Sequence, residues 1–264
     1  MRSLLFLLAS VCIAGAQPNS LTSAEAAAGW KLLFDGRTMQ GWADVSKLTP
    51  PGDSWIIEDG CLKAKGHPKL REDLFTKEEF ENFELRFEWK ISLKGNSGLK
   101  YRVQDRFFID ERRLPEFGKF ENLANAAVRK RDTPRAKATQ EYVVGFEYQV
   151  IDSSGHKDAQ RGAYYQAGAL YGMLPAKQAA EKPVGEFNEA RVVVRGNRVE
   201  HWLNGVKVVD GALDDESAKS KTAARWTAES SIYKSLAQPA KRGAITLQNH
   251  GDEAWFRNIK IRRL

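Results

Sequence analysis

Phe83-Glu84-Leu85-Arg86-Phe87-Glu88-Trp89-Lys90-Ile91 alternates apolar and charged side chains without a break. Phe83, Leu85, Phe87, Trp89 and Ile91 fall on one side of an extended chain, and Glu84, Arg86, Glu88 and Lys90 on the other. That is the pattern of a strand with one buried face. The same period extends to Tyr142–Ile151, Phe187–Arg195, Arg198–Leu203, Val206–Val209, Ala244–Gln248 and Ala254–Ile261. Gly196-Asn197 and Asn204-Gly205 join successive strands as two-residue hairpin turns, because such turns need a positive φ that Gly and Asn tolerate best. Asn96-Ser97-Gly98 reads as a further turn, leading into Leu99–Val103. Short helices are expected at Ser23–Ala28 and Ala176–Glu181. Many short strands with glycine turns predict an all-β fold, a sandwich of two antiparallel sheets.

Composition bounds the rest. The chain has 264 residues, 42% hydrophobic and 28% charged, which excludes a disordered or collagen-like chain. No apolar run approaches the roughly 18 residues of a membrane-spanning helix, and nothing recurs at a repeat period. Arg2, the apolar stretch Leu4–Ala9 and Ala14-Gly15-Ala16 predict a secretory signal over 1–16, cleaved after Ala16. Residues 17–28 then form an N-terminal segment and 29–264 a single domain. The bulky Val11 before Cys12 argues against a lipid-anchored cysteine, so no membrane anchor is expected. Cleavage leaves Cys61 alone, without an internal disulfide, and a sizeable packed core must stabilise the exported chain. This pattern predicts a bacterial periplasmic or extracellular location. The net charge of +7 is spread along the chain. Its densest run, Arg129-Lys130-Arg131 with Arg135 and Lys137, reads as a solvated loop, and no nucleic-acid partner is expected. Two stretches break the strand rhythm: charged 104–141, with Pro115 and Pro134, and small, polar 211–241, with a helix expected around Trp226–Leu236. Both read as excursions from one domain.

A set of motifs carries a resemblance. Gly29-Trp30-Lys31-Leu32-Leu33-Phe34-Asp35-Gly36 is closed by Gly41-Trp42 and followed by Trp55-Ile56-Ile57-Glu58-Asp59-Gly60. Then come Phe83-Glu84-Leu85, Gly95-Asn96-Ser97-Gly98 with Lys100-Tyr101-Arg102, and Glu147-Tyr148-Gln149-Val150-Ile151-Asp152. Gly168-Ala169-Leu170-Tyr171, Arg195-Gly196-Asn197 and His201-Trp202-Leu203-Asn204-Gly205 follow, and Gln248-Asn249-His250-Gly251-Asp252 and Trp255-Phe256-Arg257-Asn258-Ile259 close the set. In this order, over about 29–264, the chain resembles the 3-keto-disaccharide hydrolase domain family. The resemblance implies a concanavalin A-like jelly roll, related in shape to lectins and glucanases. It implies cleavage of glycosides whose sugar is oxidised to a ketone at C3, with a carbohydrate substrate as the partner. Stretch 104–141 is longer than the family usually has, a departure that bears on substrate size.

Such a ketone acidifies the hydrogen on C2. A base removes it, the group on C1 leaves by elimination, and water can add back to give net hydrolysis. The protein must supply a base near C2, a donor for the enolate oxygen and an acid for the departing oxygen. Glu147 and Gln149 share a strand face, Glu147 as a base or metal ligand and Gln149 as a binder of sugar hydroxyls. Lys100 and Arg102 share another, where either would place positive charge beside an enolate. His250, just past a strand end and followed by Gly251, is the second proton-transfer candidate, with Gln248 in its surroundings. Each is matched by a plainer reading: a solvated strand face for the first four, a structural hydrogen-bonder for His250. Asp152, His156 and Asp158 would supply an acid, a base or oxygen ligands for a divalent metal, although Asx turns explain the aspartates equally well. No cofactor other than such a metal is expected. Trp202 and Tyr171 offer flat faces to a sugar ring or belong to the core, and Asn204 goes with Trp202. Cys61 has no histidine in a nucleophile motif and reads as packing, and Gly-x-Ser-x-Gly, P-loop and dinucleotide fingerprints are missing. Two rivals keep the fold: a carbohydrate-binding module without chemistry, and an ordinary glycoside hydrolase with two carboxylates flanking the bond.

Overall fold

The structure, a computed structural model, describes residues 17–43, 54–69, 71–126 and 140–264. The expected signal over 1–16, Cys12 and the basic run at 129–137 lie outside the described residues. In chain order the strands are β1 (Lys31–Leu32), β2 (Trp42–Ala43), β3 (Trp55–Glu58), β4 (Cys61–Ala64), β5 (Leu74–Phe80), β6 (Phe83–Ile91) and β7 (Asn96–Ile109). They continue with β8 (Gln140–Ile151), β9 (Asn188–Arg195), β10 (Arg198–Leu203), β11 (Val206–Ala212), β12 (Gly243–Leu247) and β13 (Ala254–Arg263). The helices are short: α1 (Ser23–Ala27), α2 (Leu114–Phe117), α3 (Phe120–Ala126), α4 (Glu216–Trp226) and α5 (Ser231–Ala237). None is long and apolar enough to cross a membrane.

The strands form two sheets, and the fold is the antiparallel β-sandwich that the alternation predicts. The larger has eight strands in the order β11-β10-β9-β6-β13-β4-β3, with β1 also pairing with β13. The smaller has five, β2-β5-β12-β7-β8. Phe83, Leu85, Phe87, Trp89 and Ile91 of β6 are all buried, and Tyr101, Phe146 and Tyr148 of the smaller sheet meet them from the other side. Phe87 and Tyr148 pack edge to face at 5.4 Å, and Phe83 and Tyr101 at 6.1 Å. Burying each of these rings contributes about 1.5–3 kcal/mol. Cys61 is buried, as its reading as packing requires.

Three local expectations are corrected. Asn96-Ser97-Gly98 is the start of β7, paired with Ile151, Val150 and Gln149, not a turn. The reversal comes earlier, at Lys94, whose φ is 55°. Ala176–Glu181 is not helical, because its backbone serves the edge of the larger sheet: Lys177 N–H donates to Val208 O, and Ala180 O accepts from the Asn204 amide. The single helix expected around Trp226–Leu236 is instead two, α4 and α5, separated at Thr227 with φ 60° and capped by Asp215 and Ser230.

Polar links cross the sandwich, among them Tyr148 OH donating to Trp202 O at 3.1 Å and a contact through His201. His201 of β10 is fully buried; its Nε2 accepts from Tyr101 OH at 3.0 Å, and its Nδ1–H donates to Gly168 O at 2.9 Å. Burial pushes this imidazole down to about 4, so it is neutral in the fold. A histidine that titrates near 6.5 when unfolded and near 4 when folded takes up protons preferentially on unfolding between those values. Its contribution is complete above about 6.5 and is lost as pH falls toward 4. His201→Gln keeps a donor and an acceptor without the charge. Urea unfolding at pH 7 and pH 4.5 will show a smaller loss of stability on acidification in this variant than in the parent.

Candidate active site

Alternation along β7 and β8 sends Tyr101, Phe146 and Tyr148 into the core and Lys100 and Glu147 out of the opposite face. Lys100 and Glu147 are direct cross-strand partners, and Lys100 also sits opposite Thr246 of β12. Lys100 is only 3% exposed, with Nζ 3.7 Å from Glu147 Oε2 and 3.3 Å from Val143 O, which accepts its hydrogen bond. The Glu147 side chain lies flat over Gly98: a Cβ at Gly98 would stand 2.5 Å from Glu147 Oε1. Gln149 is fully buried beside it, with its amide oriented to donate to Ser97 O and Glu147 Oε1, both at 3.0 Å.

Lys100 and Glu147 form the floor of a cavity of about 370 Å³. Asn96, at the start of β7, and Gln248 and His250, just beyond β12, line it toward the end where Gln248 N–H donates to Gly98 O. Asp158, Arg161 and Tyr171 come from the segment after β8, with Tyr171 OH donating to Asp158 at 2.9 Å. Phe120 and Glu121 of α3 and Arg225 of α4 complete the lining, joined by an Arg225–Glu121 ion pair of 3.0 Å. Both excursions from the sandwich therefore contribute to one cavity.

The cavity is a low-dielectric setting for ionisable groups. Burial raises the Glu147 carboxyl above the usual carboxylate range, against the pull of Lys100 and Arg225. Burial acts to lower Lys100, but the carboxylates of Glu147 and Asp73 outweigh it and keep the ammonium charged. Asp73, buried at the head of β5, is pushed up to about 7 by burial. His250 is surrounded by protein yet still touches the cavity, and burial lowers it to about 4. Burial raises Asp158, but its bonds from Tyr171 and Arg161 prevail and hold it below the usual range. At neutral pH the imidazole of His250 is therefore uncharged.

The cavity brings together Lys100, Glu147, Asp158, Tyr171, Gln248 and His250. His156 stands beside it, its Nδ1 accepting from Asp158 N–H at 3.1 Å. Five expected site residues go elsewhere. Arg102 does not share a face with Lys100: a bulge between Tyr101 and Asp105 breaks the alternation and gives Arg102 a φ of 50°. Its guanidinium instead donates to Gly196 O at 2.6 Å and Asn197 Oδ1 at 3.2 Å, clamping the β9–β10 turn. Gln149 supports Glu147 from beneath and does not line the cavity. Trp202 lies on the outer face of the larger sheet, the opposite face of β10 from His201, flanked by Arg191 and Lys207. Asn204 holds its own hairpin to Ala180 O and Asn188 Oδ1. Asp152 accepts from Lys94, Ser154 and Gly155 N–H, an Asx turn rather than a ligand. Among the described residues no three His, Cys, Asp or Glu side chains cluster as metal ligands, so the divalent metal expected from Asp152, His156 and Asp158 has no donor set there.

Sequence reasoning missed Asn96, Phe120, Glu121, Tyr142, Arg161 and Arg225. For Arg225 and Glu121 the available signal was the length of the two excursions. A larger depression of about 500 Å³ lies beside Trp202. Of its two acids, Glu189 is exposed to solvent and Glu88 is held by Arg257 at 2.7 Å, and Arg191 is held by Glu84 at 2.8 Å, so Glu88 and Arg191 are neutralised rather than poised for proton transfer.

Fold and cavity together define a β-sandwich protein with an acid–base cavity on the outer face of its smaller sheet. The model of the 3-keto-alpha-glucoside-1,2-lyase-like domain matches residues 29–262, and the chain belongs to that family. A protein of Bacteroides thetaiotaomicron named 3-keto-disaccharide hydrolase is 31% identical over 97% of this chain and 85% of its own length. A crystal structure of a "putative glycosyl hydrolase" from Parabacteroides distasonis superposes with a TM-score of 0.69 at 27% identity, covering 94% of this chain and all of that one. A second of the same description and organism gives 0.59 at 26% identity, covering 89% and 99%.

The buried pair yields a stability test. Lys100→Met strands the Glu147 carboxylate in a dry site, where loss of one partner of a buried pair costs about 3–5 kcal/mol. Urea unfolding at pH 7 will show that loss, and the double variant Lys100→Met/Glu147→Gln will recover most of it.

Proposed function

We propose that this enzyme cleaves 3-keto-glycosides by removing the C2 proton and eliminating the group on C1. The observation that carries the reading is that Lys100, Glu147, Arg225 and His250, from four separate stretches of chain, line one cavity. Membership of a family whose relative is named 3-keto-disaccharide hydrolase supports the substrate class and makes the chain a glycoside hydrolase. The neutral imidazole of His250 takes the proton from C2, and the C2–H electron pair moves into an enolate at the C3 oxygen. As the enolate collapses, C1=C2 forms, the C1–O bond breaks, and the leaving oxygen takes a proton through Glu147, which draws it from the Lys100 ammonium beside it. Water adding across C1=C2 completes a net hydrolysis. Lys100 and Arg225 supply positive charge to a cavity in which negative charge develops. An ordinary glycosidase would need a second poised carboxylate; the other two in the cavity are held, Asp158 by Tyr171 and Arg161, and Glu121 by Arg225. We also propose, on Arg2, Leu4–Ala9 and Ala14-Gly15-Ala16, that the protein is exported; N-terminal sequencing of the mature protein should then begin at Gln17.

The enzyme will cleave a 3-keto-glucoside and leave the unoxidised glucoside intact. Glu147→Gln and His250→Ala will each lower kcat by about 10²–10⁴-fold. In kcat/KM against pH, activity will be lost on the acid side as His250 protonates near 4 and on the alkaline side as the Lys100–Glu147 pair loses its proton. Full cleavage by the Glu147→Gln/His250→Ala double variant, or sugar binding without any product, overturns the reading.

A further inference from the structure

Asn96 has no role in the mechanism above, yet its setting is unusual. It is 4% exposed and lines the cavity. Its backbone N–H is held by Asp252 Oδ2 at 3.0 Å, which fixes its position at the start of β7. Its carboxamide, however, has no hydrogen-bond partner among the described residues, and Oδ1 is a buried, unpaired acceptor. Oδ1 is closed off from the cavity, so Nδ2 is the amide atom that a ligand there can reach, as a donor with no partner among the described residues.

The ladder says where on a sugar this group would act. Asn96, Gly98 and Lys100 point to the same face of β7. The Glu147 carboxylate rests over Gly98, so it lies about 6–7 Å along the strand from Asn96. His250 follows Gln248, whose N–H is bonded to Gly98 O, which places His250 at the Asn96 end. With the roles proposed above, a pyranose ring spanning that interval would have its C1 oxygen toward Glu147 and its C2–C3 edge toward His250 and Asn96.

A carboxamide nitrogen is a hydrogen-bond donor, and the C3 ketone of the substrate is an acceptor. We propose that Asn96 is the residue that holds the C3 oxygen, its Nδ2–H donating to that oxygen. When the C2 proton leaves to His250 and the electron pair passes to the C3 oxygen, the same Nδ2–H bond becomes charge-assisted and strengthens. Asn96 thus binds the transition state more tightly than the substrate. This rests on the enolate reading of the function and adds to it the group that receives the enolate charge.

The test uses two substrates, a 3-keto-glucoside and a 3-keto-1-deoxy sugar that has no leaving group. The first reads cleavage. The second reads exchange of the C2 hydrogen for deuterium by NMR. Asn96→Ala and Asn96→Ser should lower both rates by about 10²–10³-fold, the size of one lost oxyanion donor, with KM moving far less than kcat. Asn96→Asp is the decisive variant. It is isosteric, so a structural role would be rescued, whereas a carboxylate facing the enolate should lower both rates further than alanine does. Thermal unfolding confirms that the variants fold. A parent that cleaves and exchanges, with Asn96→Asp and Asn96→Ala doing so at the parental rate, overturns the role of Asn96 alone. A parent that neither cleaves nor exchanges overturns the enolate reading and this inference with it.

Discussion

The Lys100–Glu147 pair, set side by side on the face that β7 and β8 turn away from the core, is the constraint on which the cavity depends. Two charges taken out of water are tolerated only where each offsets the other and remaining polar atoms are satisfied. Three features meet that demand. Val143 O accepts from the ammonium, Gln149 donates to the carboxylate from beneath, and Gly98 leaves room for the Glu147 side chain to lie flat. Larger side chains at 98 would lift Glu147 off the sheet. The glycine thus serves the site directly, although its φ is ordinary.

Period two carried most of the fold and part of the site. It placed Phe83–Ile91 and the later strands, and it turned Lys100 and Glu147 each to the side of its own strand away from the core, because alternation is a property of the extended chain itself; that the two meet is set by the β7–β8 register, which alternation does not give. It failed where the backbone departs from regularity. Arg102 looks equivalent to Lys100 in sequence, but the bulge after Tyr101 turns it toward the β9–β10 turn. Trp202 and Asn204 also follow the alternation faithfully, yet period two does not say which sheet a strand joins, and β10 belongs to the one away from the cavity. Arg225 and Glu121 escaped notice for a third reason. They meet across more than a hundred residues of sequence, through helices that have no strand period to reveal them.

The excursions that interrupt the sandwich do what its strands cannot. A flat sheet face exposes its charges to water, where an ion pair is weak and a carboxyl titrates normally. Phe120, Arg225 and Trp226 pack around Tyr142 on that face, with Phe120 and Tyr142 at 5.6 Å and Tyr142 and Trp226 at 5.5 Å. This aromatic cover removes water from the floor and is the physical source of the raised Glu147. Arg225 enters with its own counter-charge, Glu121, so the cover adds donors to the cavity without leaving a lone buried cation.

His201 and His250 show why burial alone does not distinguish a structural group from a chemical one. Both are pushed down to about 4 by loss of solvent. His201 has both ring nitrogens engaged, one by Tyr101 and one by Gly168, so it has no lone pair available and its neutrality serves only to join the sheets. His250 has no hydrogen-bond partner among the described residues and opens onto the cavity. Its neighbours fix the backbone instead: Asp73 accepts from Asn249 N–H at 3.1 Å, and Asn249 Oδ1 accepts from Gly251 N–H at 2.9 Å. The loop is rigid while the imidazole stays unpaired. A proton acceptor in a dry pocket needs that combination, since any protein donor on its lone pair would have to be displaced before a substrate proton could arrive.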